Sequence, residues 1–169
     1  MRNLILATSA ALVVAGAASA DVVINLGNNS LAGGEGIVAD SGAVTGALTG
    51  VSISFDFVSG GGGAWASDMA LVVNGTQFGG YDLLFGQSFG GFWGFDGPGS
   101  AADGHYGDTK ALAGSAASYE LVLGNAWSTA PACQYNNVVV TLHGVEAVPA
   151  PGAIALLGLA GFAARRRRA

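Results

Sequence analysis

The segment Val51-Ser52-Ile53-Ser54-Phe55-Asp56-Phe57-Val58 alternates apolar and polar side chains without a break. Val51, Ile53, Phe55 and Phe57 fall on one face of an extended chain, and Ser52, Ser54 and Asp56 fall on the other. A period of two describes a strand with one side buried and the other wet. Gly60 to Gly63 end it. Further short apolar runs lie on both sides: Val22–Leu26, Met69–Val73, Gln77–Phe78, Tyr81–Phe85, Phe92–Phe95, Tyr119–Leu123 and Asn137–Val145. Glycine-rich breaks separate them, and Asn74-Gly75 is a strong hairpin-turn signal. In the last run Val138, Val140 and Leu142 alternate with Val139, Thr141 and His143. No stretch between residues 21 and 147 keeps a helical period; Ala111–Ala117 is Ala-rich but short and holds Gly114. The expectation for residues 21–147 is therefore all-β, a β-sandwich of jelly-roll type.

The composition supports this and excludes some functions. Of 169 residues, 29 are glycine, which favours turns and tight connections over long helices. Only 10% are charged, against roughly 25% in ordinary soluble domains. All eleven acidic residues lie between Asp21 and Glu146, where Lys110 is the one base. Such a domain has no basic surface with which to hold nucleic acid, repels polyanions and attracts cations. The single cysteine, Cys133, cannot form an internal disulfide and reads as a small core residue.

The two ends read differently from the middle. Arg2, the apolar stretch Leu4–Ala17 and Ala18-Ser19-Ala20 follow the order of a secretory signal, a helix over residues 1–20 removed by signal peptidase between Ala20 and Asp21. At the other end, Val148-Pro149-Ala150-Pro151 precedes an apolar segment, residues 152–164, and then Arg165-Arg166-Arg167-Arg168. The apolar helix expected there is short beside the roughly 20 residues of a comfortable span, and the arginines would stay on the cytoplasmic side. Residues 148–169 resemble the PEP-CTERM sorting tail, with Ala150 where that family most often has Glu. The resemblance implies processing by an exosortase-like membrane protease, membrane attachment through the tail, and a place in exopolysaccharide or biofilm matrix. A tail retained as a permanent anchor is the alternative.

Within the domain, Val51–Val73, with Trp65 and Asp68-Met69-Ala70-Leu71, resembles the opening of the P-domain found beside proprotein convertases. Phe92-Trp93-Gly94-Phe95-Asp96 and the closing Val138–Leu142 fit the same layout. This resemblance implies a β jelly roll and carries no activity with it.

Several constellations carry chemistry in principle. Gly86-Gln87-Ser88-Phe89-Gly90 fits the pattern of a nucleophile elbow, which needs a strand before the serine and a helix after it. The glycine-rich residues that follow are poor helix formers. His105 and His143 stand apart in sequence, with no zinc spacing. Asp96, Asp103 and Asp108 occupy a glycine-rich stretch and are the candidates for calcium, which takes several oxygen ligands from a flexible loop. Tyr81, Phe85, Phe89, Phe92, Trp93, Phe95 and Tyr106 cluster between residues 81 and 106. They either fill the core or present a face to sugar rings. No cofactor motif is present.

The expectation for function is a non-enzymatic, exported protein of the cell surface or extracellular matrix, structural or adhesive in role. A carbohydrate- or calcium-binding module is the alternative, and a hydrolase acting through Ser88 comes third.

Overall fold

A computed structural model describes residues 21–61, 63–84, 87–127 and 130–148. Nine strands form two sheets: β1 (Val22–Leu31), β2 (Gly36–Asp40), β3 (Val44–Val58), β4 (Met69–Val73), β5 (Thr76–Phe78), β6 (Ser88–Gly91), β7 (Gly104–Gly114), β8 (Glu120–Asn125) and β9 (Cys133–Ala147). One sheet has the order β1-β9-β3-β7 and the other β2-β8-β4-β5-β6. Every pair is antiparallel except β5 with β6. The result is an all-β sandwich. The described residues contain short 3-10 turns and no α-helix, and no helix among them is long and apolar enough to cross a membrane. The helices expected over residues 1–20 and 152–164 lie outside the described residues.

The alternation in β3 sets the core. Val51, Ile53, Phe55 and Phe57 are all buried, while Ser52, Ser54 and Asp56 are turned outward. Phe55 is the hub, edge-on to Phe95 and Tyr135 and stacked near Tyr106. Val138, Val140 and Leu142 of β9 pack beside it, as their spacing predicts. Two irregularities keep β9 in phase. Asn137, with φ 53°, and Gly144, with φ 86°, each absorb a residue, so that Tyr135 and Val145 also turn inward. The Asn74-Gly75 hairpin forms between β4 and β5 with φ positive at both residues, as a primed turn requires.

Two expectations fail. Residues 81–84 of the Tyr81–Phe85 run are turn and loop, and Phe92–Phe95 lies beyond β6 rather than in a strand. The first run is preceded by glycines that re-aim the chain. Gly79 and Gly80 take φ 72° and 74° and pass close under Trp93 and Ala126, where a Cβ would collide with those side chains. Conversely, β2 and β7 are strands where the sequence shows no apolar alternation. Both lie at sheet edges. The half-buried side of β7 carries Tyr106, Asp108, Lys110 and Leu112, with Asp108 and Lys110 paired at 2.8 Å. A charged pair on the inward side of an edge strand blocks further strand addition and erases the hydrophobic signal at once.

Candidate functional site: an aromatic cleft

The outer face of the five-stranded sheet is covered by its own loops. Ala70 of β4 lies beneath Leu84 and Ala126 in a small second core. Fully buried Gln77 holds this cover down. Its amide nitrogen donates to the carbonyls of Gly79 (3.1 Å) and Asp82 (2.8 Å), and its oxygen accepts from the Leu84 N–H (2.8 Å). The Asp82 N–H donates to the Ala126 carbonyl (2.6 Å), and the Gly80 N–H to that of Ser67 (3.0 Å). Buried Asn125 fixes the next segment, donating to the Leu31 carbonyl (3.2 Å) and accepting from the Trp127 N–H (3.3 Å).

These bonds bring Tyr81 and Trp127 to one cleft of about 260 Å³, lined by Gly63, Trp65, Asp68, Tyr81 and Trp127. Tyr81 is 74% exposed, and the two tryptophans are half-buried. The Trp65 N–H donates to Asp68 Oδ2 at 2.7 Å and closes the short turn Ala66–Asp68. Burial pushes the Asp68 carboxyl above the ordinary 3.8, the Trp65 N–H opposes this, and the charge of Asp96 adds to it. The cleft wall continues outward along Tyr81, Phe92 and Phe89, with ring centroids 6.4 and 4.8 Å apart. Phe89 and Phe92 are each 46% exposed. Flat apolar planes beside a carboxylate suit a ring that offers C–H groups to one partner and hydroxyls to the other.

The aromatic cluster of the sequence thus divides. Trp93 is buried, with its indole N–H on the Met69 carbonyl at 3.1 Å, and Phe95 and Tyr106 pack on the main core. Tyr81, Phe89 and Phe92 face solvent. Phe85 lies outside the described residues. Trp127 escaped sequence reasoning because it stands alone between unremarkable residues and reaches the cleft only through the turn after β8.

The calcium candidates are placed apart in role. Asp108 is on β7 rather than in a loop; burial raises its carboxyl, but the Lys110 ammonium and the Gly94 N–H outweigh this and hold it below 3.8. Asp103 Oδ1 accepts from the Ser59 N–H at 2.8 Å, and Asp96 is exposed near the Asp68 side. Among the described residues, no three His, Cys, Asp or Glu side chains gather closely enough to share a metal ion. Ser88 opens edge strand β6 with no helix after it, so the nucleophile-elbow geometry does not form. Cys133 is buried, with its thiol pushed up by that burial.

The two histidines are isolated only in sequence. On the outer face of the four-stranded sheet, His143 Nδ1 lies 2.7 Å from Asp21 Oδ2, and His105 Nδ1 lies 2.8 Å from Asp56 Oδ1. Asp21 is held below 3.8 by His143 and then the Gly144 N–H, and Asp56 by the Asn137 amide and then His105. Of the sorting motif, Val148 donates its N–H to the Ala43 carbonyl (2.8 Å) and ends the described chain. Ala20, Pro149, Ala150, Pro151 and Arg165–Arg168 lie outside it. No family model matches this sequence, and no curated protein or solved structure matches it either.

Proposed function

We propose that this chain is an exported protein of the cell surface or extracellular matrix whose β-sandwich adheres to neutral exopolysaccharide through the aromatic cleft. The observation that carries this reading is the placement of Trp65, Tyr81 and Trp127 around Asp68, with Phe92 and Phe89 extending the wall. Aromatic planes stack on sugar rings, and a carboxylate accepts from sugar hydroxyls. The eleven acids against one base between Asp21 and Glu146 favour an uncharged glycan over a polyanionic one. The role at this cleft is adhesion, without chemistry.

The finer fold reading is a jelly roll. Its support is the strand order: through β4, successive strands alternate between the sheets, and β8 and β9 return to pair inside them, with β7 at an edge. Export rests on the leader ending at Ala20 and on the Val148–Pro151, 152–164 and Arg165–Arg168 tail. In this reading signal peptidase frees Asp21, and an exosortase-like enzyme acts near Pro149–Pro151.

Two measurements test the proposal. Intact mass of the protein from host membrane and extracellular fractions should give a species starting at Asp21, with the tail removed in the extracellular form. A chain that keeps residues 1–20 contradicts export. Co-sedimentation of the full-length protein with neutral exopolysaccharide should saturate and should be lost in Trp127→Ala. Equal retention of that variant removes the cleft from the account.

A further inference from the structure

The outer face of the four-stranded sheet carries a second arrangement, independent of the cleft. Three strands, β9, β3 and β7, bring His143, Ser52 and Thr109 side by side, and the residue before β1 adds Asp21. Asp21 Oδ2 lies 2.7 Å from His143 Nδ1, His143 Nε2 lies 2.5 Å from Ser52 Oγ, and Ser52 Oγ lies 2.7 Å from Thr109 Oγ1. A carboxylate on Nδ1 fixes the tautomer: Nδ1 carries the proton, and Nε2 is left as an acceptor for the serine hydroxyl. The Gly144 N–H, 3.2 Å from Asp21 Oδ1, holds the carboxylate in place.

The backbone around this group is irregular. The β3–β9 register slips between Gly46 and Gly50, and β3–β7 slips between Leu48 and Gly50. Bulges re-aim side chains in this way. At Gly50, a Cβ would sit 3.6 Å from His143 Cδ2 and 3.0 Å from the Lys110 carbonyl oxygen. The bare glycine therefore leaves room for the imidazole to lie across β3 toward Ser52. A related set stands two residues along the strand. Asp56 and His105 pair at 2.8 Å, but His105 Nε2 is 3.4 Å from Ser54 Oγ, and the His105 side chain is 68% exposed against 30% for His143.

We propose that Ser52 is an activated nucleophile toward carboxylic esters, with His143 as its base and Asp21 as the residue that positions the base. Ser52 Oγ attacks the ester carbonyl carbon as its proton passes to His143 Nε2. The adduct collapses, breaking the ester C–O bond, and the departing alcohol takes that proton. Water, giving a proton to His143, then attacks the acyl–Ser52 carbon and releases the acid and the free serine. The Thr109 hydroxyl is the near donor to the developing oxyanion. Ser52 stands on the flat face of a sheet, so the site suits an ester carried on an exposed, extended molecule, such as an acylated polymer.

The test uses the full-length chain with a fluorophosphonate probe, read by peptide mass spectrometry, together with hydrolysis of p-nitrophenyl acetate. Ser52 should carry the phosphonyl group, and Ser54 should not. Both Ser52→Ala and His143→Gln should lower ester hydrolysis about 100-fold, within the range of general-base catalysis, while Ser54→Ala leaves it unchanged. Asp21→Asn, which reverses the tautomer, should slow labelling and change its pH profile while melting stays cooperative. Random labelling of exposed serines, or equal hydrolysis by folded Ser52→Ala, overturns the proposal. So does an Asp21→Asn variant with the parent's pH profile.

Discussion

On the outer face of the five-stranded sheet, Ala70 is roofed by Leu84 and Ala126, and three tryptophan and tyrosine side chains stand around a cleft in that roof. On the outer face of the four-stranded sheet none of the described residues forms a roof: Ser52, Ser54 and Asp56 are half-exposed, and His105 and Thr109 are exposed. Both sheets close on one core, so the difference lies in what each strand carries on its second side. β4 reads Met-Ala-Leu-Val-Val and is buried on both faces, which obliges the chain to supply a cover. β3 alternates and needs none. Glycines and a buried amide build the covered face, whereas cross-strand register alone builds the bare one.

That contrast breaks most readily at Gln77. Gln77→Ala leaves the Gly79 and Asp82 carbonyls and the Leu84 N–H without their partner. The expected loss is about 2–4 kcal/mol, because unpaired buried polar groups keep their desolvation cost. Denaturant unfolding measures it. Glycan retention should fall as Tyr81 loses its support, while Ser52 chemistry on the other sheet persists. Next in size, Trp127→Ala should weaken glycan binding by about 2 kcal/mol, roughly 30-fold, as expected of a central aromatic contact. Its melting temperature should stay near the parent's.

Between the faces lies the Tyr135 hydroxyl, buried without a hydrogen-bond partner among the described residues. Burial drives its ionisation far above the ordinary range. Tyr135→Phe keeps the ring contacts with Phe55 and Phe57 and should raise stability by up to about 1 kcal/mol in urea unfolding. A loss of that size would mean that the hydroxyl is satisfied.

Acid gives the smallest effect, and it has opposite signs on the two faces. The carboxyls of Asp21 and Asp56 sit below 3.8 in the fold, so their support is complete above that value and is lost as pH falls through their folded values. Asp68 sits above 3.8, so its ionised form costs stability at neutral pH, and that cost is relieved as pH falls toward 3.8. From pH 7 to about 4 the melting temperature of the parent should therefore gain on that of Asp68→Asn, and below 3.8 both should fall.

The legible part of this fold is the part whose signal is local. The alternation in β3 and β9 and the Asn74-Gly75 turn need only neighbours in sequence. Strand β7 was illegible because its inward side holds Asp108 and Lys110, and β2 because it is a short edge strand. The aromatic run from Tyr81 suggested a strand, but Gly79 and Gly80 turn the chain into a roof before a strand can begin there. The same cluster did point to sugar as one reading, and it named Tyr81, Phe89 and Phe92 among residues that went to the core. Trp127 joins them from 46 residues beyond Tyr81 through the turn that Asn125 fixes. His143 meets Asp21 across 122 residues and Ser52 across 91, distances that no spacing motif records.

Tryptophan fluorescence during titration with neutral oligosaccharides from the host's own exopolysaccharide tests the cleft most directly. The account predicts a saturable change in the full-length chain, insensitive to salt, with affinity about 30-fold lower in Trp127→Ala. No saturable change, or equal affinity in that variant, would contradict it.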